Sequence, residues 1–303
     1  MEVPSPVTAS NNTSKIDSFD TKRIIDLYSQ IGIGARRFFK DLDEISLYQC
    51  NDTAYRFYYP YSIFGDDQFY QELYTTIPNY YLPTRWEYGY AFSQVKPGSK
   101  VLEIGCGSGL FLERLKVSKC DVTGLELNSK AIADCRKKGL TVHAELIEPY
   151  SENHSNVYDV VCTFQVLEHV SNVKSFISSA IKTLKPGGKL IISVPNSNPY
   201  FHKHDKYHTL NLPPHHSGLW NKYSLEKLTE YFPIKLENIK TEPLKEFKEW
   251  YLVQMKYHEK NKPWLASLMK LVPRFVYKRV LKIFSKSIEG AYITAVYQKI
   301  END

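Results

Sequence analysis

Between residues 96 and 196, short apolar runs alternate with stretches whose apolar residues recur at helical spacing. Residues 101–104 predict a strand and residues 110–115 open a helix. A second strand over 122–127 is followed by a helix over 129–138, and a third strand is expected over 140–143. Residues 158–164 predict a fourth strand, 173–184 a helix and 190–194 a fifth strand. The segments Lys96-Pro97-Gly98-Ser99 and Lys185-Pro186-Gly187-Gly188 supply turn chemistry ahead of the first and fifth strands. Apolar strands joined by helical crossovers predict an α/β, doubly wound parallel sheet covered on both faces.

The flanks read differently. Residues 1–15 are polar and rich in Pro, Ser and Asn, which predicts a disordered leader and no secretory signal. Residues 16–95 form an aromatic N-terminal cap, with an amphipathic stretch at Ile24, Leu27, Tyr28 and Ile31. Eleven of the 23 tyrosines fall between Tyr48 and Tyr90, beside Phe57, Phe64, Phe69 and Trp86. So aromatic a segment either buries itself or walls a pocket for a flat or apolar ligand. Residues 96–303 make the main domain. After the fifth strand it holds a histidine-rich loop, a helix over 224–231, a strand over 234–239, a basic helical insertion over 245–289 and a closing strand over 291–300.

Composition narrows the class. Hydrophobic residues at 43% and charged residues at 24% exclude wholesale disorder. No apolar run approaches the roughly 18 residues of a spanning helix. Five scattered cysteines without a C-x-x-C pair predict reduced thiols in a cytoplasmic compartment, and argue against a disulfide scaffold or structural zinc. The net charge is +6, yet residues 245–289 alone carry +7. The basic character is therefore local, and nucleic acid is not the expected partner.

The chemistry sits in Val101-Leu102-Glu103-Ile104-Gly105-Cys106-Gly107-Ser108-Gly109. A strand runs into a glycine-rich turn and then a helix, the arrangement that holds a cofactor at the carboxyl edge of a parallel sheet. The spacing is G-x-G-x-G, whereas dinucleotide sites use G-x-G-x-x-G. Glu103 discriminates further, because a carboxylate beside the turn repels pyrophosphate and attracts a cationic ligand. Glu126, at the end of the second strand, stands where a carboxylate accepts hydrogen bonds from ribose hydroxyls.

Together VLEIGCGSG (101–109), GLELN (124–128), YDVVCTFQVLEHV (158–170) and LKPGGKLIISVPN (184–196) cover about a third of the chain. They resemble class I S-adenosylmethionine-dependent methyltransferases, in particular the ubiquinone-biosynthesis O-methyltransferase branch. The resemblance implies a seven-stranded, mostly parallel Rossmann-like sheet and methyl transfer from S-adenosylmethionine to a small-molecule acceptor: a sugar, a quinone or a lipid-linked intermediate, with O-methylation favoured. It puts Glu103, Gly105, Gly107 and Gly109 under the methionine end, and Glu126 with Leu127 at the ribose. Adenine falls against the main chain near Ala144 and Glu145, with Phe164 and Gln165 beside the cofactor. The loop over 147–157 departs from the family pattern in having no clear Asp for the adenine amino group. Two other readings compete: an NAD(P)-dependent oxidoreductase, and a non-catalytic S-adenosylmethionine-binding scaffold.

Candidate catalytic groups are histidines. His169 follows Glu168 where the fourth strand gives way to a helix. The loop carrying His202, His204, His208, His215 and His216 reads as an active-site rim, because similar family members bear a His loop there. No Cys accompanies it and Asp205 is the one nearby acid, so no metal site is expected. His215 or His216 is the expected general base or acceptor-orienting group. Residues 264–288 interleave large apolar side chains with Lys and Arg, and Pro273 divides the stretch into two helices. This segment predicts either a packed helix with a solvated basic face or a peripheral contact with an anionic membrane.

Overall fold

The computed structural model describes residues 2–77, 85–198, 205–244, 247–285 and 287–300. At the N-terminus β1 (Thr13–Asp20), β2 (Glu44–Cys50) and β3 (Arg56–Tyr59) pair antiparallel. Between the first two lies α1 (Thr21–Gln30), capped by Asp20, whose carboxylate accepts from the Arg23 amide at 2.7 Å. Its buried Ile24 and Tyr28 are the apolar stripe facing inward. Then come α2 (Asp67–Thr76) and α3 (Trp86–Phe92).

The main sheet follows as β4 (Lys100–Ile104), α4 (Leu110–Val117), β5 (Asp121–Leu125), α5 (Ser129–Lys137), β6 (Thr141–His143), α6 (Ile147–Asn153), β7 (Tyr158–Phe164), α7 (Val173–Thr183) and β8 (Leu184–Pro195). Beyond it, β9 (Gly218–Leu219) adds to β3 as the fourth strand of the N-terminal sheet. The chain continues through α8 (Lys222–Glu226), β10 (Ile234–Pro243), α9 (Phe247–Asn261), α10 (Pro263–Leu271) and α11 (Arg274–Phe284), and closes with β11 (Glu289–Lys299).

Seven strands stand in the order β10-β11-β8-β7-β4-β5-β6. Only β11 is reversed, antiparallel to both β8 and β10. The Rossmann-like methyltransferase sheet expected from the resemblance is the observed one. Its two faces bury separate clusters, one around Leu102, Phe176 and Trp220 and the other around Phe111, Leu112 and Cys135. All five cysteines are buried and free. Ile104 pairs with Leu125, so β4 and β5 end level and their loops open on the same carboxyl edge.

Three expectations are corrected. The leader is packed: Val3 and Val7 are buried in the core and the Lys174 amide donates to the Pro6 carbonyl at 2.9 Å. Two apolar anchors and long-range backbone hydrogen bonds outweigh its polar composition. The turn at residues 185–188 lies inside β8, which pairs from Leu184 opposite Tyr158 across a register shift. Residues 147–153, read as loop, form α6 because Ile147 and Tyr150 bury one face of a single helical turn pair.

Candidate active site

At the end of β4 the chain turns through Gly105 and Gly107 at φ +71° and +51°, values that glycine adopts without a Cβ penalty. A Cβ on Gly105 would collide with the Val166 side chain. The Gly105 and Cys106 amides donate to the Leu125 carbonyl at 2.8 and 3.0 Å, tying this turn to the end of β5. There the Glu126 Oε1 accepts the Leu127 and Asn128 amides at 2.8 Å each. Asn128 in turn caps α5 by accepting from Lys130 and Ala131.

Glu103 is 1% exposed and its Oε2 has no hydrogen-bond partner among the described residues. Burial pushes its carboxyl well above the usual range. A carboxylate so placed is costly unless a ligand supplies donors or positive charge. At the end of β7, Gln165 is held at φ +57° with its backbone amide donating to the Ser193 carbonyl at 2.9 Å, and its buried Nε2 lacks a partner among the described residues. A left-handed, non-glycine residue at a cavity wall is the kind of strain that collects at functional sites. The Phe164 ring meets Phe111 and Tyr88 edge-on, with centroids 4.9 and 5.0 Å apart.

One cavity of about 1550 Å³ runs from this turn to a far end lined by Arg85, Glu87, Glu168 and the histidines. Pockets for one small molecule run from roughly 300 to 1,000 Å³, so two ligands fit. Glu87 and Glu168 at that end are buried. Arg85 Nη1 lies 3.6 Å from Glu87 Oε1, yet both Glu87 oxygens lack hydrogen bonds among the described residues. Burial raises the carboxyls of Glu87 and Glu168, the latter to about 8. His169 Nε2 stands 3.9 Å from Glu168 Oε1. Burial drives His169 down to about 4, and burial together with the adjacent His169 holds His215 well below its ordinary value.

A family described as methyltransferase domain matches residues 81–233, half of the chain. The chain belongs to that family. The ubiquinone biosynthesis O-methyltransferase of Pectobacterium atrosepticum is 36% identical over 107 residues, 33% of this chain and 44% of the relative. The protein of the same name from Photobacterium profundum is 35% identical over 107 residues, 33% of this chain and 46% of the relative. The match thus spans less than half the length of these curated relatives. A SAM dependent methyltransferase from Archaeoglobus fulgidus shares the fold at TM-score 0.53 and 17% identity, covering 77% of this chain and all of that one.

Within this methyltransferase-family site, the cavity wall includes Gly105, Gly107, Glu126, Leu127 and Glu145, with Phe164 and Gln165 beside them. His169, His215 and His216 line its far end. Glu103 is buried away from the lining, and Gly109 and Ala144 do not reach it. A Cβ on Gly109 would stand 2.5 Å from Leu140 and 2.9 Å from the Cys135 sulfur, so that glycine serves close packing. His202 and His204 lie outside the described residues. Arg85, Glu87, Tyr88, Glu242 and Tyr292 line the cavity without having been singled out. Their signal, charges embedded in an aromatic stretch or at a strand end, has no fixed spacing.

Proposed function

We propose that this chain transfers a methyl group from S-adenosylmethionine to a hydroxyl of a small-molecule acceptor. The observation that carries the reading is the Glu126 carboxylate held on the cavity wall against the glycine turn. Glu126 lines the cavity there, while Glu103 is buried behind the turn, off the lining, with one oxygen unpartnered among the described residues. The acid at the end of β5 suits ribose hydroxyls, and the G-x-G-x-G spacing of the turn departs from the dinucleotide pattern. S-adenosylmethionine, when bound, supplies a methyl group on a positively charged sulfur with a neutral thioether as leaving group.

The chain's own residues then position and exclude water. Glu126, fixed by three backbone amides, faces the ribose. Tyr88 and Phe164, backed by the buried Phe111, form an apolar wall beside the transfer path. The histidines at the far end line the place where the acceptor hydroxyl is received. Alignment of nucleophile and methyl within one cavity supplies much of the rate. The names of the curated relatives support oxygen as the acceptor atom.

Calorimetry with S-adenosylmethionine, S-adenosylhomocysteine and NADH tests the cofactor. Binding of the first two and not the third is expected, and NADH binding alone would overturn the reading. Release of S-adenosylhomocysteine in the presence of hydroxylated aromatic acceptors tests the transfer.

The acceptor's class is suggested by the C-terminal helices. No residue of α11 is buried; Phe275 is 66% and Ile283 76% exposed, and Leu271 at the end of α10 is 78% exposed. Arg274, Lys278 and Lys282 recur at a spacing of four beside the apolar stripe of Val276, Val280 and Ile283. Basic and apolar faces side by side match an anionic lipid surface, where a lipid-linked or amphipathic acceptor resides. No helix among the described residues is long and apolar enough to cross a membrane.

A further inference from the structure

Three imidazoles that are far apart in the chain converge at the far end of the cavity. His169 closes the 3-10 turn Leu167–His169, while His215 and His216 follow Pro213 and Pro214. One ring nitrogen from each lies within 4.8 Å of the other two. The ring centroids are 4.6 Å apart for His169 with His215, 5.0 Å for His169 with His216 and 4.6 Å for His215 with His216.

The surroundings orient these rings. His169 Nδ1 is 2.7 Å from the His215 carbonyl, and His215 Nδ1 is 2.8 Å from the Leu210 carbonyl. A carbonyl only accepts, so both Nδ1 atoms carry hydrogen and the lone pair of each neutral ring resides on Nε2. Donation of the other ring N–H to a backbone carbonyl is how proteins orient and tautomerise metal-ligating histidines. The two segments are also stapled together. The Ser217 amide and hydroxyl donate to the Glu168 carbonyl at 2.7 and 3.0 Å, and the Tyr70 hydroxyl donates to the His215 carbonyl at 3.1 Å. The buried Glu168 side chain, whose Oε2 has no partner among the described residues, lies with Oε1 3.9 Å from His169 Nε2.

We propose that His169, His215 and His216 form a binding site for one divalent transition-metal ion of the zinc type, open toward the acceptor chamber. Three imidazoles without a thiolate suit zinc, cobalt, nickel or iron and disfavour magnesium and calcium, which take oxygen ligands. Three protein ligands leave a fourth position for an exogenous oxygen. Tetrahedral coordination at about 2.0–2.1 Å brings the nitrogens closer than they now stand, a movement of about 1 Å per ring. The rim histidines, read from sequence as a metal-free loop, acquire their third ligand from the end of β7. That the fourth position receives an acceptor hydroxyl rests on the methyl-transfer reading above. The ion itself does not.

The test uses the full chain, stripped with a chelator and titrated with Zn²⁺ and with Co²⁺. One ion per chain is expected by calorimetry and elemental analysis, with the intense visible bands of four-coordinate Co²⁺. His216→Ala and His169→Gln should each abolish these bands, while His143→Ala, an exposed histidine outside the cavity lining, leaves them unchanged. Circular dichroism shows whether each variant folds, and the wild-type titration decides the matter if they do not. Absence of stoichiometric binding by the wild type, or bands that survive His216→Ala in a folded protein, overturns the proposal. S-adenosylhomocysteine is titrated into the same metal-free samples: binding there with no metal uptake removes the metal site alone, whereas failure of that titration removes the cofactor reading.

Discussion

The Gly107 amide donates to Glu126 Oε2 across 2.8 Å and thereby joins the two loops that open on the cofactor end of the cavity. The carboxylate meets this amide with one oxygen and the Leu127 and Asn128 amides with the other. It is aligned before any ligand arrives. The same residue supports the loop and, on the proposed reading, recognises the ligand, so its replacement should affect both.

Glu126→Gln exchanges an accepting oxygen for a donating amine against backbone N–H groups. A hydrogen bond to a charged group is worth about 1.5–3 kcal/mol, so affinity for S-adenosylhomocysteine should fall by roughly 10- to 150-fold. Melting should shift down by a few degrees. A 2′,3′-dideoxy analogue separates the roles: if Glu126 binds ribose, its substitution costs less against that analogue than against the natural nucleoside. Equal losses by calorimetry would leave only the loop-supporting role.

Gly105→Ala should abolish cofactor binding, because the new methyl meets Val166 and the backbone is left-handed. Adding Val166→Ala removes the collision but not the conformational penalty of about 1–2 kcal/mol. Partial recovery of melting temperature in the double variant is the expected result, and full recovery would show that backbone conformation is irrelevant here.

Glu87 is fully buried, with neither oxygen hydrogen-bonded among the described residues and Arg85 as its nearest cation. Glu87→Gln keeps the shape but leaves the Arg85 guanidinium without its nearest anion, so the variant should melt lower and turn over more slowly. An unchanged melting point would show that the pair contributes nothing to stability.

Asp159 links three elements, accepting the Lys100 amide at 2.7 Å and the Lys185 ammonium at 2.7 Å. Partial burial pushes its carboxyl up, but the Lys185 and Lys100 hydrogen bonds outweigh this and hold it below the usual value. A depressed carboxylate contributes stability above its unfolded value near 4 and loses it as pH falls through the lower folded value. The side chain is 39% exposed, so solvent screening limits the contribution to about 1 kcal/mol. Asp159→Asn should accordingly be less stable than wild type at pH 7, with the gap closing below about pH 4. Denaturant titrations at both pH values would reveal a constant gap if the charge played no part.

Liposome co-sedimentation addresses α10 and α11. Pelleting with anionic vesicles should fall steeply with salt, since the attraction decays within about 8 Å at physiological ionic strength. Changing Lys278, Arg279 and Lys282 together to Gln should remove it. Equal pelleting with neutral vesicles would exclude the electrostatic contact, and concentration-dependent dimerisation by ultracentrifugation would assign the apolar stripe to a second copy.

The main sheet was legible in the chain because its information is local. Residues 101–104 and 158–164 are apolar runs bounded by turns, and their crossovers show helical spacing, so a parallel, doubly wound sheet follows from the pattern. The glycine turn and its two acids were legible for the same reason: close approach and charge selection are properties of adjacent residues. Three other features depended on distant partners. Val3 and Val7 look like part of a polar tail until they are buried in the core cluster that also holds Tyr55 and Phe57. Gly218 and Leu219 become a strand only because β3 offers an unpaired edge. His169 and His215 are separated by 46 residues and meet because Ser217 pins its segment to Glu168 and Val170. Sequence pattern determines which segments are strands, helices and cofactor loops. Which side chains share a chamber is decided by long-range packing, whose contacts leave no periodic trace in the chain.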